Sequence, residues 1–160
     1  MNDFIKVGIS DYAKSHSPGV IATFALGSCV GICLYDNAKK LGGLSHIMLP
    51  DSSMASRNEK NRMKFADTAI VDITRELKIM GAVRLIAKIA GGAQMFATPS
   101  VGLMGNIGER NVKAVKAALA KLGIPIVAED TGRDYGRTVY FDLDTGVMRV
   151  QSIGKANKEY

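Results

Sequence analysis

The 160 residues include only two cysteines and two histidines, so few side chains could do nucleophilic or acid-base chemistry near neutral pH. Cys29 follows Gly27-Ser28, a segment able to turn sharply, and His46 comes 17 residues later in a different apolar run. A neighbouring imidazolium favours the thiolate, which is the nucleophilic form, and such a pair supports acyl transfer. The turn at Gly27 and Ser28 would leave backbone N–H groups free to hold the oxyanion of a tetrahedral intermediate. On this reading Cys29 should be alkylated with an apparent pKa well below the free value of about 8.5. The competing reading is structural, because cysteine behaves as a small hydrophobe and is among the most buried residue types. Cys33, within Gly31-Ile32-Cys33-Leu34, has no evident polar partner and reads as core.

Whether Cys29 and His46 meet depends on the elements that carry them. Apolar runs at 20–25, 30–35 and 41–48 are separated by Leu26-Gly27-Ser28 and by Asp36-Asn37-Ala38-Lys39, both rich in turn formers. A hairpin closed by that second, four-residue loop pairs Tyr35 with Lys40 and sets Cys29 directly opposite His46, with Cβ atoms about 4.5 to 5.5 Å apart. A slip of one residue would put the two side chains on opposite faces. Thr23, in the preceding strand of a simple meander, would lie about 9.5 Å from His46.

Further on, Ala66, Ala69, Ile70, Ile73, Leu77 and Met80 repeat at helical spacing before Gly81. A strand at 83–89 runs into the turn Ala90-Gly91-Gly92-Ala93. A second helix follows Asn106-Ile107-Gly108, with Val112, Val115, Leu119 and Leu122 on one face and Gly123 at its end. The tail from Ile124 is strand-like, and a hairpin at 138–143 and 147–152 surrounds Asp144-Thr145-Gly146. The fold class expected is a layered α/β domain, antiparallel at the start, without the regular alternation of a doubly wound sheet.

Composition narrows the partners. With 47% hydrophobic and 22% charged residues the chain reads as one globular domain over 1–160. No secretory signal pattern and no apolar stretch of about 18 residues occurs, so a cytoplasmic protein without membrane insertion is expected. The net charge of +6 favours acidic partners. Arg57, Lys60, Arg62 and Lys64 lack interleaved aromatics and read as a solvated face, which argues against nucleic-acid binding. Cys29, Cys33, His16 and His46 are ligand types, but Cys-x-x-x-Cys on a strand spreads its sulfurs roughly 13 Å apart, too far for one zinc. Gly102, Gly105 and Gly108 do not make the dinucleotide fingerprint, and no cofactor is expected. Gly91-Gly92 would let backbone approach a substrate or another strand.

Longer motifs add a resemblance. Pro18-Gly19-Val20-Ile21-Ala22-Thr23, Leu26-Gly27-Ser28-Cys29-Val30 and Ser45-His46-Ile47-Met48-Leu49-Pro50 resemble the CheD family of chemoreceptor glutamine deamidases. The likeness continues through Ala66-Asp67-Thr68-Ala69, Lys88-Ile89-Ala90-Gly91-Gly92-Ala93-Gln94-Met95-Phe96, Asn106-Ile107-Gly108-Glu109-Arg110-Asn111 and Ala128-Glu129-Asp130-Thr131-Gly132. The resemblance implies a three-layer arrangement of β-sheets and helices similar to that of cytotoxic necrotizing factor-type deamidases. It implies a site with Cys29 as nucleophile, His46 as acid and base, and Thr23 orienting the imidazole. Gly27, Ser28, Gly91, Gly92 and Gln94 are the candidates for substrate or oxyanion contacts. The implied reaction is hydrolysis of selected receptor glutamines to glutamate through a cysteine thioester, with receptor methylesterase activity in some members. The implied partners are the cytoplasmic region of chemoreceptors and CheC, a phosphatase of the response regulator. A nonenzymatic regulator of such a phosphatase is the alternative. One departure stands out: Arg133-Asp134 follows Gly132 where the family pattern commonly has Gly-Asn.

Overall fold

A computed structural model describes residues 3–95 and 106–160. Gly102, Gly105 and Phe96 of the motifs above lie outside the described residues. The strands are β1 (Ile5–Val7), β2 (Asp11–His16), β3 (Val20–Leu26), β4 (Val30–Asp36), β5 (Leu41–Ile47), β6 (Ile86–Gly91), β7 (Ile126–Thr131), β8 (Arg137–Asp142), β9 (Met148–Gln151) and β10 (Lys158–Glu159). Two α-helices, α1 (Ala66–Ile79) and α2 (Ile107–Lys121), come before and after β6.

The strands form two five-stranded sheets, ordered β1-β3-β8-β9-β10 and β2-β5-β4-β6-β7. Alternation along β4 shows how they stack. Val30, Ile32 and Leu34 join Ala66, Ile70, Ile73, Leu77, Val115 and Leu119 of the helices in one core, so this face of the second sheet lies under α1 and α2. Cys33 and Tyr35 point the other way and pack with Ile21, Val139 and Phe141 of the first sheet. Among the described residues the result is an α/β arrangement in three layers, with both α-helices on the same side.

The helical spacing of 66–80 is realised in α1, whose buried residues include Ala66, Ala69, Ile70, Ile73 and Leu77. Gly81 and Gly123 both take positive φ just past the helices. The meander expected from the first three apolar runs is not formed. Ala25 adopts φ 58° and the β3–β8 pairing shifts register between Thr23 and Leu26, so the chain leaves the first sheet and enters the second at Val30. β3 therefore faces β4 and β5 across the layer instead of lying beside them.

The hairpin register also differs from expectation, by two residues. Tyr35 pairs with Gly42 and Gly31 with His46. Asp36 is drawn into the strand because its Oδ1 accepts the Ala38 and Lys39 N–H groups while Oδ2 accepts those of Val83 and Arg84, and the four-residue loop becomes 37–40. A two-residue slip preserves the face on which each side chain lies, so Cys29 and His46 stay on the same side.

Candidate functional site

At one end of the layer between the sheets, β3 delivers Thr23, β5 delivers His46 and the entry to β4 delivers Cys29. His46 is fully buried. Its Nδ1 lies 2.7 Å from Thr23 Oγ1, and that hydroxyl also lies 2.8 Å from the Val7 carbonyl. A hydroxyl has one hydrogen and the carbonyl can only accept, so Thr23 donates to Val7 and accepts from Nδ1–H. The tautomer is thereby assigned by the network, and Nε2 keeps its lone pair. Among the described residues no group partners Nε2. The separation expected between Thr23 and His46 does not arise, because they are neighbours across two sheets and not along one.

Gly31 stands directly opposite His46. Cys29 is two residues earlier on the same face, in the diagonal position, where side chains stand about 7 to 8 Å apart across a ladder. Gly31 puts no side chain of its own between them, and the space beside it is taken up by Leu26 and Thr23: a Cβ there would sit 3.3 Å from Leu26 Cδ1 and 3.7 Å from Thr23 Cγ2. Burial lowers the His46 pKa to about 4 and pushes the Cys29 thiol up, with the Cys29 backbone N–H pulling the thiol the other way. The resting pair is therefore a neutral thiol and a neutral imidazole. This corrects the expectation of a thiol acidified by imidazolium, since a buried imidazole does not hold the second proton near neutral pH.

The loop that carries Cys29 is tied down carbonyl by carbonyl. Gly27 O accepts from the Ala93 N–H at 2.9 Å, Ser28 O from Asn111 Nδ2 at 2.9 Å, and Cys29 O from the Gly92 N–H at 2.8 Å. Gly91, at φ 114°, allows this approach, because a Cβ on it would collide with the Cys29 carbonyl. Of the oxyanion candidates, the Gly27 N–H is engaged by Ala25 O, the Gly92 N–H by Cys29 O and the Gln94 N–H by Arg133 O. Gly91 and Gly92 thus bring one strand against another, the second use expected of them. Among the turn and loop hydrogen bonds of the described residues, neither the Ser28 nor the Cys29 N–H donates to a backbone carbonyl, and the Cys29 N–H faces its own thiol.

The remaining ligand types do not join this site. Cys33 lies in the core between the sheets with its thiol pushed up by burial, and β6 places Lys88 directly opposite it, a polar neighbour that the sequence did not reveal. His16 is exposed at the far end of β2, paired with Leu41. Asn111, on α2, was not singled out from the sequence. Its signal was available, for it falls four residues before Val115 on the inward stripe of the helix, where a polar side chain needs a reason.

Arg133 takes φ 64° beside Gly132 at φ 81°. A left-handed arginine costs roughly 1 to 2 kcal/mol, of which glycine's greater unfolded entropy takes back about half. Arg133→Gly should therefore raise stability by about 0.5 kcal/mol, read as a rise of about 1 to 2 °C in Tm. A fall in Tm would show that the guanidinium makes a compensating contact.

The comparisons with known proteins agree with the motifs. Residues 48–152 match the family model described as CheD chemotactic sensory transduction. That segment starts two residues past His46 and contains none of Thr23, Cys29 and His46, whereas full-length relatives span them. The chain is 50% identical over 161 aligned positions to the probable chemoreceptor glutamine deamidase CheD of Lachnoclostridium phytofermentans, covering 99% of each chain. It is 48% identical to the chemoreceptor glutamine deamidase CheD of Halalkalibacterium halodurans, again over 99% of each. With the probable chemoreceptor glutamine deamidase CheD of Moorella thermoacetica it shares 51% identity over 96% of this chain and 93% of the relative. By the family match and by this full-length likeness, the chain belongs to the CheD family.

Proposed function

We propose that the chain is a single-domain, cytoplasmic protein-glutamine deamidase that converts selected glutamines on the cytoplasmic region of chemoreceptors to glutamate. The observation that carries this reading is the Thr23 hydroxyl against His46 Nδ1, which leaves Nε2 basic and unpartnered on the face that Cys29 shares. As the carboxamide carbon is attacked, the Cys29 S–H proton passes to Nε2 and the sulfur forms the new bond. The carbonyl oxygen becomes an oxyanion facing the Ser28 and Cys29 N–H groups. The imidazolium returns the proton to the nitrogen, the C–N bond breaks and ammonia leaves a glutamyl thioester. Water then gives a proton to Nε2 and attacks the thioester, and the departing sulfur takes that proton back.

A glutamyl methyl ester would enter the same steps with methanol as leaving group, so methylesterase activity belongs to the reading. So does the likeness of the frame to cytotoxic necrotizing factor-type deamidases. A CheC-type phosphatase partner would withhold the enzyme by covering the rim around residues 27–29.

Incubation with a receptor cytoplasmic fragment should add about 1 Da per converted glutamine and release one ammonia each, through the nucleophilic route alone. Absence of conversion, together with faster action of an added phosphatase, would leave the nonenzymatic regulator in its place. Thr23→Val should lower kcat by about a hundredfold, because Nδ1 loses its acceptor and the tautomer is no longer specified, while Thr23→Ser retains most activity. Equal rates in both variants would remove Thr23 from the site.

A further inference from the structure

Asn111 lies on the inward face of α2 with Gly108, Val115 and Leu119, and it is fully buried. Its Nδ2 donates one hydrogen to Ser28 O at 2.9 Å and the other to Met48 O at 3.0 Å. Both acceptors are carbonyls, so chemistry fixes which way the amide faces. Ser28 precedes Cys29, and Met48 comes two residues after His46. The one side chain therefore grips the segment carrying the sulfur and the segment carrying the imidazole.

Its position in the ladder explains the need. Val30 and Ile47 make the last paired rung between β4 and β5. One step further on stand Cys29 and Met48, with no backbone pair between them. Asn111 supplies a side-chain rung where the backbone ladder has ended. Gly108, one helical turn earlier, packs so closely on Gly92 and Ala93 that a Cβ would sit 2.6 Å from the Gly92 carbonyl oxygen. Those two residues hold the carbonyls of Cys29 and Gly27, so α2 is seated on the same clamp. The Asn111 Oδ1 is buried and has no partner among the described residues. An apolar residue would avoid that cost, so the amide is retained for what its nitrogen holds.

We propose that Asn111 is a positioning residue that sets the Cys29 sulfur at its working distance from His46. It touches no reacting atom. The inference rests on the reading of Cys29 and His46 as nucleophile and base.

The test compares Asn111→Ala and the isosteric Asn111→Asp with Leu119→Ala, which opens a cavity two turns along the same helix face. Rates are measured on a receptor fragment, together with alkylation of Cys29 by iodoacetamide. Both Asn111 variants should lose about a hundredfold in kcat with KM within twofold, the scale expected for a misplacement of about 1 Å. Alkylation should move in the opposite direction, becoming faster with an apparent pKa nearer the free value of about 8.5, because the loosened loop exposes the sulfur. Leu119→Ala should lower Tm at least as much and keep its kcat at temperatures where it is folded. The assignment is overturned if the Asn111 variants keep kcat within threefold, if Leu119→Ala loses kcat alongside Tm, or if neither Asn111 variant folds. Persistent activity in Cys29→Ala would instead remove Cys29 as the nucleophile, and absence of conversion by the unaltered protein would sink the deamidase reading, so these failures are told apart from that of Asn111.

Discussion

Replacing Cys29 by Ala should abolish turnover on receptor fragments, a loss of about 10⁴-fold or more, while the protein stays folded. The size follows from the chemistry: without the sulfur no thioester forms, and the other hydroxyl and thiol groups packed between the sheets near His46 are not poised to replace it. Thr23 donates its hydrogen to Val7 O, and Cys33 lies deeper in the core with a thiol pushed up by burial. Stability should change by less than about 1 kcal/mol, because Cys29 is only partly buried and alanine keeps its backbone. The carbonyl clamps from Ala93, Asn111 and Gly92 do not involve its side chain. Ammonia release and mass spectrometry read the activity, and thermal unfolding reads the fold. Substantial activity in a folded Cys29→Ala protein would move the chemistry elsewhere. Alkylation of the unaltered protein refines the picture: its apparent pKa should stand above the ordinary thiol value, because burial raises Cys29 and His46 carries no resting charge to offset it. An apparent pKa well below that value would mean a preformed ion pair.

A neutral resting pair is consistent with where the site sits. Layers between sheets exclude water, and charge separation there is expensive until an incoming substrate supplies dipoles of its own. In the proposed mechanism the proton transfer from sulfur to Nε2 then accompanies attack instead of preceding it.

Local pattern made much of this legible, and contacts remote in sequence did not. Helices α1 and α2 were readable because their apolar residues repeat over several turns and end at Gly81 and Gly123. The face shared by Cys29 and His46 was readable from alternation alone, and it survived a two-residue error in register. That error came from Asp36, whose bonds to Val83 and Arg84 depend on a segment 47 residues away. Thr23 could not be placed by spacing, because the turn at Ala25 sends consecutive strands into different sheets, and a left-handed alanine carries no sequence signal. β1 and β2 were missed for a related reason: β1 is three residues long, and β2 is an edge strand whose residues are exposed or half-buried. The place of Asn111 on the inward stripe of α2 was legible, but its partners were not, because they are backbone carbonyls, which every residue possesses.

Acid should destabilise the protein more than its carboxylates alone would explain, and His46 is the cause. Its pKa is lowered by burial from 6.5 to about 4. Between those two values the unfolded chain binds a proton at residue 46 and the folded chain does not, so folding stability rises with pH across this window. The contribution is fully present above about pH 6.5 and is lost as pH falls towards 4, a total of about 3 kcal/mol. Below that both states are protonated and the loss stops. His46→Gln, which keeps an amide to face Thr23 but cannot titrate, should lack this component. Asp72, held below the usual carboxylate range by its bond to Arg62, loses its contribution at lower pH in both proteins and cancels in the comparison. Asp11 stands opposite His46 on β2, so Asp11→Asn in both backgrounds separates any effect of that charge. Urea unfolding at steps from pH 7.5 to 4 should show the two stability curves parallel above pH 6.5 and diverging by about 3 kcal/mol at pH 4. Parallel curves throughout would mean that the folded protein lets His46 take up its proton as freely as the unfolded chain does, and the neutral, base-ready imidazole of the proposed mechanism would go with it.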